Sequence, residues 1–143
     1  MNERRHCVAS ATLMNKIYAC GGYNAQDNLR SVEIYDPVLD VWEFLPQMTE
    51  ARFDAACVAF NNKIYVIGGK DFHGQIHTSV EVFNPATNEW SFGPSLQVRR
   101  TRVRAIVYND KIFVIGGYDG TNPLKTVEVY DPLASPYFQL QDK

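Results

Sequence analysis

Three sets of chemically capable residues recur in this chain at near-constant spacing. Arginine stands at Arg5, Arg52 and Arg100, and glutamate at Glu33, Glu81 and Glu128. Gly-Gly stands at Gly21-Gly22, Gly68-Gly69 and Gly116-Gly117. A guanidinium fork and a carboxylate form a hydrogen-bonded ion pair when partly buried. Two carboxylates become a hydrolytic pair only when they face one pocket roughly 5–9.5 Å apart. Here arginine and glutamate repeat in step, so the expected role is a structural pair in each unit. A Gly-rich phosphate cradle needs a different pattern and a following helix, and neither is present. Gly-Gly instead reads as a tight turn that lets strands approach closely. His73 and His77 have HxxxH spacing, but Gly74 between them marks a loop and no third ligand accompanies them, so no metal site is expected. No catalytic residue and no cofactor are expected either.

Three cysteines, Cys7, Cys20 and Cys57, are too few and too odd in number for a disulfide framework. They read as thiols of a reducing compartment, which leads to the expectation of a cytoplasmic protein. Cys20 replaces the isoleucine of Ile67 and Ile115, and Cys57 aligns with Ser10 and Ala105, so both read as small core residues. Cys7 is the accessible thiol of the three, and no base accompanies it to make it a nucleophile.

The most concentrated charge is the run Val98-Arg99-Arg100-Thr101-Arg102-Val103-Arg104, in a chain of net charge −2. Arg100 belongs to the repeating set. Its neighbours are either solvated or form a basic spot suited to an acidic peptide. No basic stripe extends beyond this segment, so nucleic acid is not an expected partner. No stretch approaches ~18 apolar residues, and no apolar run follows the charged N-terminal residues, so neither a membrane partner nor a secretion signal is expected. Arg104 falls in an expected inner strand and should face a channel or pair with an acid.

These residues are positioned by an internal repeat. Asp36-Pro37, Asn84-Pro85 and Asp131-Pro132 recur, each preceded by Val-Glu-x-aromatic (Val32-Glu33 to Tyr35, Val80-Glu81 to Phe83, Val127-Glu128 to Tyr130). Trp42, Trp90 and Tyr137 stand six residues after the Asp or Asn. Three units of about 48 residues fill the 143-residue chain: 1–48, 49–96 and 97–143. Each reads as four short strands. The first is residues 7–14, 55–60 or 103–108. A turn follows at Asn15-Lys16, Asn61-Asn62-Lys63 or Asn109-Asp110-Lys111, where Asn and Asp tolerate left-handed geometry. The second strand runs into Gly-Gly. It alternates weakly, as expected when both faces are buried. The third is Val-Glu-x-aromatic, ended by proline. The fourth centres on Trp42, Trp90 or Tyr137. No apolar i, i+3, i+4 pattern survives ten residues, so no helix is expected. The aromatics Trp42, Trp90 and Tyr35 are expected to pack between units.

Four antiparallel strands per unit of about 40–50 residues are the pattern of propeller blades. The ordered signature of Arg, an Ile-Tyr-type strand ending in Gly-Gly, Val-Glu-x-Tyr-Asp-Pro and then Trp resembles the kelch repeat, most of all that of BTB-kelch proteins. The resemblance implies an all-β fold of three four-stranded blades forming a partial propeller or half-ring. It also implies a protein-binding module that recognises targets for a cullin-type ubiquitin ligase. The ligase is recruited through a BTB region that these 143 residues lack. Kelch propellers close with five to seven blades, so the expectation is a piece of a longer product or a half-ring that pairs with a second copy into six blades. Actin binding as a cytoskeletal scaffold is an alternative carried by the same resemblance. A propeller enzyme, such as a copper oxidase or sugar-processing enzyme, is another, but it would need metal ligands or clustered acids that this sequence does not present.

Residue types shared by all three units build a blade, whereas divergent positions are free to serve a site. Divergence falls in the loop after Gly-Gly (23–30, 70–78, 118–125) and in the link into each blade (47–54, 95–102). Both lie at the same end of an up-and-down blade, and loops on a rigid scaffold carry binding. In the kelch proteins this chain resembles, that end holds the target pocket. Its lining carries over to Asp54 and Arg102, two residues past the recurring arginine, and to Tyr23, Lys70 and Tyr118, just after Gly-Gly, with Cys7 as the first-blade counterpart. Asn24, Asp71, Asp119 and Arg99 complete the expected face. Tyrosine and arginine suit protein contact.

Overall fold

The computed structural model describes residues 1–134 and the backbone of residues 138–139. Among the described residues twelve strands form three four-stranded antiparallel sheets, each in sequential order. Blade 1 holds β1 (Ala9–Leu13), β2 (Lys16–Cys20), β3 (Val32–Asp36) and β4 (Val41–Leu45). Blade 2 holds β5 (Ala56–Phe60), β6 (Lys63–Ile67), β7 (Val80–Asn84) and β8 (Glu89–Phe92). Blade 3 holds β9 (Arg104–Tyr108), β10 (Lys111–Ile115), β11 (Val127–Tyr130) and β12 (Phe138–Gln139). These are the blades of a partial propeller. The expected role of Tyr137 lies outside the described residues. Among the described residues there is no helix, and so none long and apolar enough to cross a membrane.

Each β1–β2-type hairpin turns on two residues at positive φ: Met14-Asn15, Asn61-Asn62 and Asn109-Asp110, all between 47° and 60°. Two left-handed residues match the twist of the flanking strands. The turn therefore closes one residue earlier than the sequence suggests, and Lys16, Lys63 and Lys111 open the second strands instead. The shift has a use. Lys16 Nζ lies 3.0 Å from Asp36 and Lys111 Nζ 2.8 Å from Asp131, tying the second strand to the end of the third. Blade 2 has Asn84 at this place. Asn84 keeps the turn through its Oδ1, which accepts the Ala86 amide, but it offers Lys63 no charge.

The blades stack face to face, and the core lies in the two seams between them. The seam of blades 1 and 2 holds Tyr18, Cys20 and Val32 against Ile64, Val66 and Phe83. The seam of blades 2 and 3 holds Phe60, Tyr65 and Ile67 against Ile112 and Val114. The middle blade is covered on both sides, so β6 is buried along Ile64–Ile67 and alternation vanishes there. Residues between the blades plug each seam: Met48 is 2% exposed and Leu96 4%.

The outer aromatics divide by location. Trp90 tilts on Phe83 with ring centres 5.2 Å apart, and its Nε1 donates to Pro46 O of the preceding link at 2.7 Å. It packs between blades as the sequence suggests. Tyr35 and Trp42 stack on each other at 5.1 Å, on the side of blade 1 that no other blade covers. The reason is positional: blade 1 has no neighbour on that side within the described residues.

Candidate protein-binding face

The arginine–glutamate pairs form the floor of the candidate face. The side chains of Arg5, Arg52 and Arg100 are fully buried. Arg52 Nη1 donates to Gly68 O at 2.8 Å and Ser79 O at 3.0 Å, and its Nη2 to Glu81 at 3.1 Å. Arg5 repeats this with Gly21 O, Ser31 O and Glu33, and Arg100 with Gly116 O, Thr126 O and Glu128. Each glutamate also accepts two amides of the chain entering its blade: Thr49 and Glu50 on Glu81, Gln97 and Val98 on Glu128, Asn2 and Glu3 on Glu33. Burial depresses the Arg52 pKa, while Glu81 and Glu50 push it back up. All the acids are held by their arginines and amides, so the set is structural, as its repetition suggests. Its effect is to fix the incoming link against the Gly-Gly turn.

That fixation places two segments side by side at one end of the blades. His6 bridges to Tyr23, Phe53 to Lys70 and Thr101 to Tyr118. The residue just past each bridge, Cys7, Asp54 or Arg102, adopts positive φ of 51°, 55° or 52°. This geometry turns the backbone sideways so that it pairs across the seam. The Asp54 amide donates to Cys7 O at 3.1 Å, and the Arg102 amide to Asp54 O at 2.8 Å. Three equivalent residues thus form a hydrogen-bonded arc around the propeller axis. Inside it runs a groove of about 280 Å³ lined by Ser10, Cys57 and Arg104 among others. Arg104 borders this channel, exposed, with Nη1 donating to Val103 O at 3.3 Å.

The structure brings the expected site residues to this face in two groups. Tyr23 and Lys70 belong to an aromatic cluster that spans blades 1 and 2. Tyr23 lies 5.0 Å from Phe72, 6.1 Å from Phe53 and 4.7 Å from His6, and Lys70 Nζ sits 5.1 Å from the centre of Phe53. Phe72 is 46% exposed. His6, Phe53 and Phe72 did not stand out in the sequence. Phe53 and Phe72 were legible only as aromatics inside the two divergent segments. The second group spans blades 2 and 3. Arg102 Nε lies 3.5 Å from Asp54, with its side chain 70% exposed. Arg99 is exposed and lies over Gly120 in the loop that follows Tyr118.

Asn24, Asp71 and Asp119 stand at equivalent loop positions and share a task. Asn24 Oδ1 accepts the Gln26 and Asp27 amides, Asp71 Oδ1 the Gln75 amide, and Asp119 Oδ1 the Thr121 and Asn122 amides. These bonds shape the loop tips. Those amides, helped by Arg99, hold the Asp119 carboxyl below the usual range. Cys7 is exposed, and burial of its sulfur together with Asp54 raises its pKa, the opposite of an activated nucleophile. Cys20 is buried, and the neighbouring Cys20 thiol together with burial raises the Cys57 pKa. His73 is exposed and His77 buried, so the two do not converge. Among the described residues no group of three or more potential metal ligands occurs.

Comparison with known proteins fits this geometry. The kelch motif family matches residues 4–49, 51–97 and 99–135. The chain belongs to the kelch-motif family. It is 41% identical over 76 residues to the Kelch repeat-containing protein kel-10 of Caenorhabditis elegans, covering 50% of this chain and 13% of that protein. A Kelch repeat and BTB domain-containing protein of the same organism is 40% identical over 76 residues, again 50% and 13%. Kelch-like protein 26 of Danio rerio is 38% identical over 66 residues, covering 46% of this chain and 11% of that protein. The chain therefore spans a small fraction of the length of these relatives. Kelch repeats of this kind are protein–protein interaction modules, and the aromatic and basic groups at the loop end suit that use.

Proposed function

We propose that this kelch region is the target-recognition part of a cytoplasmic, non-catalytic substrate adaptor for a cullin-type ubiquitin ligase. It takes an acidic segment of its target protein on the loop face. The observation that carries the reading is an aromatic cluster, its Phe72 exposed and Tyr23 and Phe53 half-buried, beside the exposed cations Arg99 and Arg102 and the half-buried Lys70 at one end of the blades. Tyr23, Phe53 and Phe72 offer rigid apolar area, while Lys70, Arg99 and Arg102 offer charge. Three acids of the face are engaged: Asp54 with Arg102, and Asp71 and Asp119 with their own loops. Phe72, Arg99 and Arg102 stand exposed to a partner beside them. The adaptor role is supported by similarity to kelch proteins that carry a BTB domain, and ligase recruitment would rest on a BTB region outside these 143 residues.

The test is selection of binders from a random peptide library, followed by fluorescence anisotropy. Selected peptides are expected to carry Asp or Glu beside an aromatic or long apolar residue. Arg102→Glu should weaken them about tenfold, and raised salt should weaken binding to the parent chain in the same direction. Peptides that lack acids, or that bind the Arg102→Glu and Phe72→Ala variants as well as the parent, would overturn the reading. The ligase step is tested separately, by whether a full-length product co-purifies a cullin.

A further inference from the structure

At the end opposite the loop face each blade turns twice, between its first and second strands and between its third and fourth. The first of these turns opens on Asn61 in blade 2 and on Asn109 in blade 3, but on Met14 in blade 1. All three have positive φ, of 48°, 47° and 50°. Asparagine accepts that geometry at little cost, whereas a long thioether side chain has no local reason to adopt it. Met14 stands there 65% exposed.

A second departure from the repeat lies in blade 2. In blades 1 and 3, Asp36 and Asp131 hold Lys16 and Lys111 at 3.0 and 2.8 Å. Asn84 takes that place in blade 2, across from Lys63, which opens β6. Lys63 is half-buried, and among the described residues no carboxylate stands within ion-pair distance of it. Glu89, opposite Asn84 on β8, is exposed and makes no pair with it either. Asn84 Oδ1 accepts the Ala86 amide, which leaves Nδ2 a donor without an acceptor among the described residues.

The two departures meet in one place. Met14, Lys63, Asn84 and Pro85, with Asn61 and Asn62, line a hollow of about 330 Å³. Met14 and Pro85 also border a second hollow of about 250 Å³, walled in part by Tyr18, Ile34, Leu45 and Phe83 of the first seam. Here the chain keeps the lysine of the repeat, lacks the acid that answers it in the other two blades, and sets an apolar side chain beside it. The seam between blades 1 and 2 is complete, so neither hollow is the seat of another blade.

We propose that this hollow takes an acidic residue, flanked by an apolar one, from a segment of a partner protein. The carboxylate fills the place of Asp36 and Asp131 in the other blades, accepting from Lys63 Nζ and Asn84 Nδ2. The flanking apolar side chain lies on Met14 and Pro85, towards the second hollow. A protein acid is the occupant because the repeat itself seats an aspartate side chain on the equivalent lysine. The rim agrees: Asn61, Asn62 and Ala86 are exposed, so the hollow opens to solvent, whereas a small free ligand is held where most of its surface is enclosed. A charge-assisted bond beside a pliable thioether supplies both orientation and contact area. The site lies at the opposite end of the blades from Phe72 and Arg102 and does not depend on what binds there.

Methyl-labelled methionine NMR of the 143-residue chain tests it. Met14 reports on the hollow, and Met48, buried beside Gly21, reports on the loop end. The probe is acetyl-Leu-Asp-Leu-amide, compared with acetyl-Leu-Asn-Leu-amide and with isovalerate. The Asp peptide should shift the Met14 methyl saturably, with a Kd of about 1 mM or tighter, and leave Met48 in place. The Asn peptide on the parent chain, and the Asp peptide on Lys63→Gln, should bind about tenfold more weakly. Asn84→Asp should weaken the Asp peptide as much, because it seats the chain's own acid on Lys63, and it restores the pattern of blades 1 and 3, so the fold is kept. Four results would overturn the proposal: no saturable shift of Met14, a response of Met48 alone, equal binding by the Asn peptide or by the two variants, or isovalerate binding as tightly as the peptide. The last would make the occupant a small organic acid.

Discussion

Replacing Gly68 with alanine tests whether Gly-Gly exists to admit the next blade. Gly68 sits at φ +63°, where an L side chain costs about 1–2 kcal/mol whatever its surroundings. Its new Cβ would lie 2.4 Å from Arg100 O, a backbone atom that cannot swing aside. The blades must separate locally. That breaks the bond from Gly69 N to Arg100 O and strains the one from Arg100 N to His77 O. A buried amide or carbonyl left without its partner costs about 1–3 kcal/mol. The total is about 2–5 kcal/mol, a large part of the ~5–15 kcal/mol that holds a typical domain together. Gly116→Ala is the internal control. It has φ +61° but, among the described residues, no arginine carbonyl above it, so in this 143-residue chain it should cost only the conformational 1–2 kcal/mol or so. Urea unfolding followed by the fluorescence of Trp42 and Trp90 reads both. Equal losses for the two variants would refute the close-approach argument and leave turn geometry as the only reason for glycine.

Two further outcomes follow from the ion pairs and the buried histidine. Asn84→Asp gives Lys63 the partner that Lys16 and Lys111 already have, and should stabilise blade 2 by about 0.2–1 kcal/mol in thermal melts, with the gain lost at high salt. His77 is buried beside Arg52, Glu50 and Asp71, and burial, followed by Arg52, depresses its pKa below the ordinary 6.5. The unfolded chain therefore binds this proton more readily than the folded one. Stability is complete above about pH 6.5 and falls as the pH drops through the folded value. His77→Asn should flatten that part of a melting-temperature profile, and an unchanged slope would contradict it.

Much of the fold was legible because repetition inside one chain acts as a control. Arg5, Arg52 and Arg100 recur with Glu33, Glu81 and Glu128, and all three pairs are built alike in the structure. The strands were legible from the β-branched runs and from the Asn and Asp residues that accept positive φ. The one-residue shift at Lys16, Lys63 and Lys111 was not, because a methionine, Met14, takes the first turn position of blade 1 at φ 50°. The candidate face was half legible. Divergence located its two segments, but not which side chains in them meet. Phe72 is four residues past Gly68 in sequence, yet its partner Tyr23 belongs to another blade.

What the sequence determined by itself was the repeating unit: its period, its four strands, its glycine turn and its charged pair. These depend on residue types at fixed separations along the chain, and local backbone preference and strand alternation read them directly. What only the tertiary structure decided was what happens between units. The arc from Cys7 through Asp54 to Arg102 and the aromatic cluster across the first seam join residues of different blades, roughly 30 to 50 positions apart. A repeat of identical period would suit several stacking geometries. The choice among them is made where a carbonyl fits over a glycine and a left-handed residue turns its amide to the next blade.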